Sequence, residues 1–257
     1  MELTVGRASG GTLRLIYDDV PPPGPESGPP VLLIHGFASS RRTNWVATSW
    51  MRSFAEAGRR VILFDHRGHG QSEASHEPAD YDEGLLAADS AAVLAACGVR
   101  EADIMGYSMG AMVAIRMLMD APGRVRRAVL AGLGENYLTK PDFADDVPLA
   151  LLAEDPATIT NRAALTFRVF ADQQKADRAA LAACWRRPRT AFDAAALGRI
   201  SKPVLVICGD RDAVTGPPDR LAAAIPGAEM RLVPGKDHMS AVGDRVTKAE
   251  VLAFLAS

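Results

Sequence analysis

The chain has 257 residues, of which 48% are hydrophobic and 23% charged, and its formal net charge is −2. This length suits one α/β domain with room for an insertion, and the composition is that of an ordinary soluble globular protein. Proteins that bind nucleic acid or anionic membranes commonly carry an excess of basic residues, and the near-neutral net charge of this chain shows none. We therefore expect neither partner.

Two short runs of β-forming residues open the chain, at residues 3–7 and 12–17. Ser9, Gly10 and Gly11 lie between them, and small turn-forming residues in that position predict a β-hairpin. Residues 21–30 are rich in proline, which removes backbone donors and fixes φ. This segment therefore reads as a surface connection.

Strand-like and helix-like segments alternate after the proline-rich segment. Apolar runs cover residues 31–34, 61–64, 104–105, 128–130, 204–207 and, more weakly, 230–233. Short runs rich in Val and Ile are typical of strands that are buried on both faces of a parallel sheet. Apolar residues at helical spacing occupy residues 50–57, 81–97 and 111–119. The alternation predicts an α/β fold with a doubly wound, mostly parallel sheet and helices on both faces.

The alternation stops between residues 134 and 200. This stretch contains no convincing buried strand and is rich in Ala, Leu and Arg, with helix-like text at residues 147–153 and 177–184. We interpret residues 134–200 as a helical cap inserted into a core made of residues 1–133 and 201–257. The cap is expected to cover the carboxyl edge of the sheet, where ligands bind in open α/β folds.

The segment Gly106-Tyr107-Ser108-Met109-Gly110 matches the pattern G-x-S-x-G. It follows an apolar run and opens a helical stretch, and in that context the serine occupies a sharp, strained turn with its hydroxyl exposed. The glycines let strand and helix approach closely where larger side chains would clash. Ser108 is therefore the candidate nucleophile.

A nucleophilic serine needs a base and a carboxylate that orients the base. Of the five histidines only His238 follows Ser108, and it lies in a loop after the last predicted strand. The carboxylate should follow the strand that begins at residue 204, where Asp210 and Asp212 are both candidates. We favour Asp212 because it lies in the loop that would face the base. Glu135 is a third candidate.

Backbone N–H groups are expected to bind the oxyanion of an attacked carbonyl. One donor is the N–H of Met109, and the other is that of Phe37 in the loop after the first parallel strand. We interpret His35 as a residue that holds this loop through hydrogen bonds. These donors act without a metal or organic cofactor, so we expect none.

Residues 65–72 form a glycine-rich turn that superficially resembles a metal or phosphate motif. The turn lacks the lysine of a P-loop. His66 and His69, three residues apart, leave zinc as an alternative that elemental analysis would decide. We favour a site without metal.

Five motifs together resemble the α/β-hydrolase superfamily, in the order in which that family carries them: residues 35–37, 65–72, 106–110, 209–212 and 237–239. The resemblance implies an eight-stranded, mostly parallel sheet, a cap after strand six, and the triad Ser108, Asp212 and His238. It is similar to the esterase, enol-lactonase and carbon–carbon hydrolase branches. The resemblance also implies that the haloalkane dehalogenase and epoxide hydrolase branches carry aspartate at this position. The serine at position 108 departs from that pattern.

The leading hypothesis is a serine carboxylesterase that cleaves a small-molecule ester. A second hypothesis is an enol-lactone or carbon–carbon bond hydrolase, because arginines near Trp185 could clamp a substrate carboxylate. These arginines are Arg178, Arg186, Arg187 and Arg189. A third, from another class, is a ligand-sensing protein that uses the hydrolase pocket for binding, although the complete set of triad residues argues against it.

Four aromatic residues of the predicted cap are candidates for the pocket wall: Phe143, Phe167, Phe170 and Trp185. We predict that at least one of them faces Ser108, because ligand sites are mostly apolar and favour clefts between structural units. The sequence leaves the acyl and alcohol groups open, as it does the choice between monomer and homodimer.

Three scattered cysteines, Cys97, Cys184 and Cys208, have no metal-ligand spacing and read as reduced thiols. The N-terminus shows no signal-peptide pattern, so we expect a cytoplasmic protein. Two basic runs, residues 41–42 and 186–187 together with Arg189, are interpreted as solvated helix faces.

Overall fold

A computed structural model describes residues 1–138, 143–188 and 194–257. Within these residues eight strands form one sheet. The strands are β1 (Glu2–Gly6), β2 (Thr12–Val20), β3 (Val31–Ile34), β4 (Val61–Phe64), β5 (Ala102–Tyr107), β6 (Val125–Ala131), β7 (Val204–Gly209) and β8 (Glu229–Val233). The order across the sheet is β1-β2-β4-β3-β5-β6-β7-β8.

The sheet is antiparallel at one side and parallel elsewhere. β1 and β2 form the predicted hairpin, and β2 also runs antiparallel to β4. Every pairing among β3 to β8 is parallel. The eight-stranded, mostly parallel α/β fold is therefore confirmed. Because parallel strands share a direction, the segments that follow β3, β5, β7 and β8 leave from the same edge of the sheet.

Helices cover both faces of the sheet. They are α1 (Trp50–Glu56), α2 (Glu83–Ala96), α3 (Met109–Asp120), α4 (Asp146–Leu152), α5 (Arg162–Gln173), α6 (Arg178–Trp185), α7 (Ala194–Leu197), α8 (Asp219–Ala224) and α9 (Arg245–Ala256). Among the described helices, none combines the length and the apolar character that crossing a membrane requires.

Alternation along the strands divides the apolar core into two clusters. In β3, Leu32 and Ile34 belong to the cluster that contains residues of α2 and α3, whereas Val31 and Leu33 belong to the cluster with α1 and α9. Successive side chains of a strand point to opposite faces, so a run without polar residues requires cover on both sides. This explains why the central strands read as unbroken apolar runs.

Helices α4 to α7 lie between β6 and β7 in the chain, inside the predicted cap of residues 134–200. Residues 139–142 and 189–193 of that segment lie outside the described residues. A third apolar cluster joins Phe37 and Met109 of the core to buried residues of α4, α5 and α6. These helices therefore pack on the loop that follows β3 and on the first turn of α3.

The interpretation of the basic runs as solvated faces is wrong for Arg41 and Arg187. Both side chains are buried. Arg41 donates to Asp65 and, over 2.8 Å, to Asp18, while Arg187 lies 3.6 Å from a carboxylate oxygen of Glu83. A long guanidinium is tolerated in the interior when carboxylates from distant segments meet it, and a local pattern cannot reveal that. Arg42 and Arg186 are exposed, and Arg189 lies outside the described residues.

Candidate active site

Ser108 lies on the turn between the end of β5 and the start of α3. Its backbone has φ 53° and ψ −114°, a strained conformation for a residue with a side chain. The residue is half-buried. It occupies the N-cap position of α3, yet its side chain makes no capping hydrogen bond. The turn thus leaves the hydroxyl available for a ligand.

Two glycines make this turn possible. A Cβ on Gly106 would lie 2.1 Å from the carbonyl oxygen of Gly110, and one on Gly110 would lie 2.0 Å from the carbonyl oxygen of Ile34. Such distances are far inside van der Waals contact, and backbone atoms cannot move aside cheaply. Glycine at these two positions is therefore a steric requirement of the turn.

Asp212 and His238 meet beyond the ends of β7 and β8. The Nδ1 atom of His238 lies 2.8 Å from Oδ2 of Asp212, and both residues are buried. Gly209 brings their loops together, because a Cβ there would lie 2.1 Å from the carbonyl oxygen of Lys236. Since a carboxylate only accepts, Nδ1 carries the proton and Nε2 is left as the base.

The carboxylate of Asp212 is held in its charged form. Burial by itself would raise its pKa, but the hydrogen bonds from His238 and from the backbone of Thr215 outweigh burial and lower the pKa. Oδ1 accepts the N–H groups of Val214 and Thr215, each over 3.0 Å. The side chain therefore has one oxygen fixed by its own loop and the other directed at the imidazole.

The other carboxylates near this edge have different partners. Asp210 accepts the N–H of Gly235 over 2.7 Å and so ties the end of β7 to the turn after β8. Glu135 lies 3.7 Å from Arg220. Asp237 accepts the N–H and the hydroxyl of Ser240. The carboxylate that contacts the imidazole of His238 is that of Asp212.

The remaining contact of the predicted triad is the one between the Ser108 hydroxyl and the His238 ring. Within the described part of the chain, no hydrogen bond joins the Ser108 hydroxyl to the His238 ring. In triads without substrate this bond is commonly long and tightens only when substrate binds.

The loop after β3 lies directly against the nucleophile. A Cβ on Gly36 would lie 3.4 Å from the Cβ of Ser108. Among the described residues, neither the N–H of Phe37 nor that of Met109 donates to a protein acceptor. Two unpaired backbone donors beside a strained serine are what an oxyanion requires.

His35 orients one of these donors. Its Nδ1 lies 2.8 Å from the carbonyl oxygen of Gly36, which belongs to the same peptide unit as the N–H of Phe37. Its Nε2 accepts the N–H of His66 over 3.0 Å, so Nδ1 carries the proton. Burial lowers the pKa of His35 and keeps the ring neutral. The ring thus fixes the peptide plane that presents the Phe37 N–H.

Two aromatic rings, one from α5 and one from α6, pack against the side chain of Phe37. The Phe37 ring centroid lies 6.0 Å from that of Phe167 and 5.0 Å from that of Trp185. Phe143 extends this group, 6.1 Å from Phe167. Phe170 is half-buried in the same apolar cluster but makes no ring contact within the described residues. The sequence pattern identified Phe37 only by its N–H, and nothing local could show that its side chain contacts the helices between β6 and β7.

His66 and His69, the residues of the zinc alternative, lie in a cluster of buried rings. The centroid of His66 is 4.7 Å from that of His35 and 6.2 Å from that of His69. Burial lowers the pKa of His69 to about 3 and that of His66 well below its ordinary value. Within residues 1–138, 143–188 and 194–257, no group of three ligating side chains could hold a metal ion.

Two of the four arginines proposed to clamp a substrate carboxylate, Arg178 and Arg187, have other partners. Arg187 donates to the carbonyl of Cys184 over 3.0 Å and faces Glu83. Arg178 donates to the carbonyl of Ala153 over 3.3 Å. Arg186 is exposed, and Arg189 lies outside the described residues.

Comparisons with known proteins agree with this architecture. Residues 29–182 match the family model described as alpha/beta hydrolase fold. A non-heme haloperoxidase from Rhodococcus erythropolis is 26% identical over 261 residues, which cover 90% of this chain and 93% of the relative. The crystal structure of a hydrolase from Pseudomonas aeruginosa has a TM-score of 0.72 and 26% identity, covering 100% of this chain and 98% of its own. An esterase from Exiguobacterium antarcticum has a TM-score of 0.78 and 19% identity, with 100% of both chains covered.

Proposed function

The chain belongs to the alpha/beta hydrolase fold family, and from that premise we propose that it is a serine hydrolase that cleaves small carboxylic esters through an acyl-enzyme. Ser108 is the proposed nucleophile and His238 the base, while Asp212 fixes the tautomer of the base. The observation that carries this proposal is the hydrogen bond between Asp212 and Nδ1 of His238, at the same sheet edge as the strained Ser108.

The reaction has two halves. His238 Nε2 takes the proton of Ser108 as Oγ attacks the ester carbonyl. The imidazole then donates that proton to the departing alcohol. The acyl group then remains on Ser108. Water, activated by the same imidazole, attacks the acyl carbonyl and releases the acid, and the proton returns to Ser108. The neutral His238 with a free Nε2 is the form that both halves require.

The oxyanion formed in each half would accept the N–H groups of Phe37 and Met109. A single such donor contributes about 3–4 kcal/mol to transition-state stabilisation in serine hydrolases. His35 supports this role by holding the peptide that carries the Phe37 N–H. These interactions stabilise a developing negative charge and need no further group.

A neutral ester fits the surroundings better than a carboxylate-bearing substrate. Of the described arginines that motivated the enol-lactone and carbon–carbon hydrolase alternative, Arg187 and Arg178 are engaged with Glu83 and backbone carbonyls, and Arg186 is exposed. The wall beside Phe37 is aromatic. Apolar rings favour an apolar acyl or alcohol group, since burial of apolar surface is the main attraction that they offer.

The decisive experiment compares Ser108→Ala with the parent protein on p-nitrophenyl acetate and in labelling by a fluorophosphonate. Ser108→Ala is expected to lower kcat about 10⁶-fold and to abolish labelling. Ser49→Ala is the matched control, because Ser49 is also an N-cap serine with positive φ, 64°, and no capping bond. If Ser108→Ala hydrolyses the ester at the parent rate, the assignment is wrong.

The name of the Rhodococcus erythropolis relative suggests a second assay. Halide oxidation with hydrogen peroxide should be measured beside the ester screen on the same preparations. Halide oxidation that survives Ser108→Ala, in a protein without esterase activity, would replace the ester proposal. Ligand binding without any turnover would point to the receptor-like alternative.

A further inference from the structure

Tyr107 connects the nucleophile turn to the loop of the base. It precedes Ser108 in the chain, and its hydroxyl donates a hydrogen bond to the main-chain carbonyl of His238. Its ring is buried, and its centroid lies 5.4 Å from that of His238. One rigid side chain therefore spans from the nucleophile's backbone to the base's backbone.

This bond ties the main chain of His238 itself to the last residue of β5. Within the described residues it is the one hydrogen bond that the main chain of His238 makes. The neighbouring turn is organised by Asp237, which accepts the N–H groups of Met239 and Ser240. The bonds of Asp237 to Met239 and Ser240 stay within this loop, whereas the bond of Tyr107 joins the loop to the end of β5.

The structure makes room for the Tyr107 ring at a specific place. Gly132, which follows β6, has φ 58°, and a Cβ there would lie 2.8 Å from Cζ and 3.1 Å from the hydroxyl oxygen of Tyr107. Burial raises the pKa of the phenol well above its ordinary value. The hydroxyl is thus a protonated donor at any pH at which a neutral imidazole acts as a base.

Resting on the serine-hydrolase function proposed above, we infer that Tyr107 is a positioning residue that sets the distance between His238 and Ser108. It holds the carbonyl of His238 while Asp212 holds Nδ1 of its ring. Because the main-chain carbonyl and the ring Nδ1 of His238 are both held, its Nε2 stays directed at the turn that carries Ser108. The role concerns proton transfer and leaves substrate binding to other residues.

Tyr107→Phe tests this role, because it removes the hydroxyl and keeps the ring. We expect kcat for p-nitrophenyl acetate and the rate of fluorophosphonate labelling to fall together by about 10- to 100-fold, since small misplacements of a catalytic group have effects of this size. KM should stay at the parent value. If Tyr107 had only a structural role, Tyr107→Phe would lower the melting temperature but would not lower kcat at an unchanged KM.

Thr247→Val is the matched control. The Thr247 hydroxyl also donates to a carbonyl of the same loop, that of Ala241 over 2.8 Å, and it is equally buried. We expect Thr247→Val to lower the melting temperature by a similar amount while kcat stays within about twofold of the parent. A comparable loss of kcat in Thr247→Val would overturn the positioning role.

Gly132→Ala provides a second route if Tyr107→Phe does not fold. Its methyl group would push the Tyr107 ring away from the carbonyl while the hydroxyl remains, and the same loss of kcat is expected. Parent kcat and labelling rate in either folded variant would refute the inference. A parent protein that neither hydrolyses esters nor reacts with the fluorophosphonate would instead refute the proposed function, so the two failures are distinguishable.

Discussion

In the core, the residues around Ser108 are placed by backbone contacts and hydrogen bonds, whereas the helices between β6 and β7 approach the same edge through aromatic rings. Gly106, Gly110 and Gly209 each sit where a single added carbon would lie about 2 Å from a backbone oxygen. The segment between β6 and β7 contributes the half-buried rings of Phe143, Phe167 and Trp185. Directional contacts tolerate little change, and apolar contacts respond gradually, so the two regions should react differently to substitution.

The largest effect in the core is expected from Asp212→Asn. The amide presents its NH2 group, a donor, to Nδ1 and so favours the wrong tautomer of His238, and in a serine triad this change lowers kcat about 10⁴-fold. Asp210→Asn is the matched control, since Asp210 binds the N–H of Gly235 and not the imidazole. Its kcat should stay within tenfold of the parent. Equal losses in the two variants would contradict the assignment of Asp212.

Gly110→Ala tests the steric part of the comparison. The added Cβ would lie 2.0 Å from the carbonyl oxygen of Ile34 and 2.8 Å from that of His35. We expect the free energy of unfolding to fall by about 4 kcal/mol or more in urea titrations, because backbone must move to admit the methyl group. Gly123→Ala is the control, as a Cβ there meets nothing within 4 Å. Similar stability in both variants would show that the turn is not sterically constrained.

The buried imidazoles give the core a pH dependence. Burial lowers the pKa of His69 from 6.5 to about 3, so below pH 6.5 the unfolded chain binds a proton that the folded chain does not. Stability is therefore complete above pH 6.5 and decreases as the pH falls towards 3. At pH 5 this residue alone should account for about 2 kcal/mol.

His69→Asn tests this pH dependence, because the amide can still donate to the carbonyl of Arg67, which His69 Nδ1 contacts over 3.0 Å. The free energy of unfolding should fall less steeply between pH 6.5 and pH 5 in the variant than in the parent. Above pH 7 the two curves should run parallel. An unchanged slope in the acidic range would mean that His69 is not held neutral in the folded protein.

The smallest effect is expected in the predicted cap. Phe167→Ala should change the preference between neighbouring acyl-chain lengths by about 1 kcal/mol, or about fivefold in kcat/KM, as small differences in apolar contact do. Phe170→Ala is the matched control on the same helix, since Phe170 makes no ring contact to Phe37 within the described residues. Alanine variants of Phe143 and Trp185 complete the series. If every stable variant keeps the parent profile, loops of the core form the pocket wall instead.

The sequence determined the strands and the catalytic candidates because both depend on patterns among neighbouring residues. An apolar run such as residues 31–34 is dictated by burial on both faces of a sheet, and it became β3 with the predicted bounds. Ser108 is recognisable from its flanking glycines, and His238 from its position after the last strand. Periodicity and turn chemistry require only neighbouring residues, so a single chain displays them.

The tertiary structure decided which side chains meet across the fold. The sequence favoured Asp212 but kept Asp210 as a candidate, and in the structure their loop directs Asp210 at Gly235 and Asp212 at His238. The sequence indicated that Arg41 belongs to a solvated basic run, whereas in the structure it donates to Asp18 and Asp65. Tyr107 and the carbonyl of His238 are separated by 131 residues. Contacts of this kind depend on the packing of whole elements, and no local pattern encodes the distance between two loops.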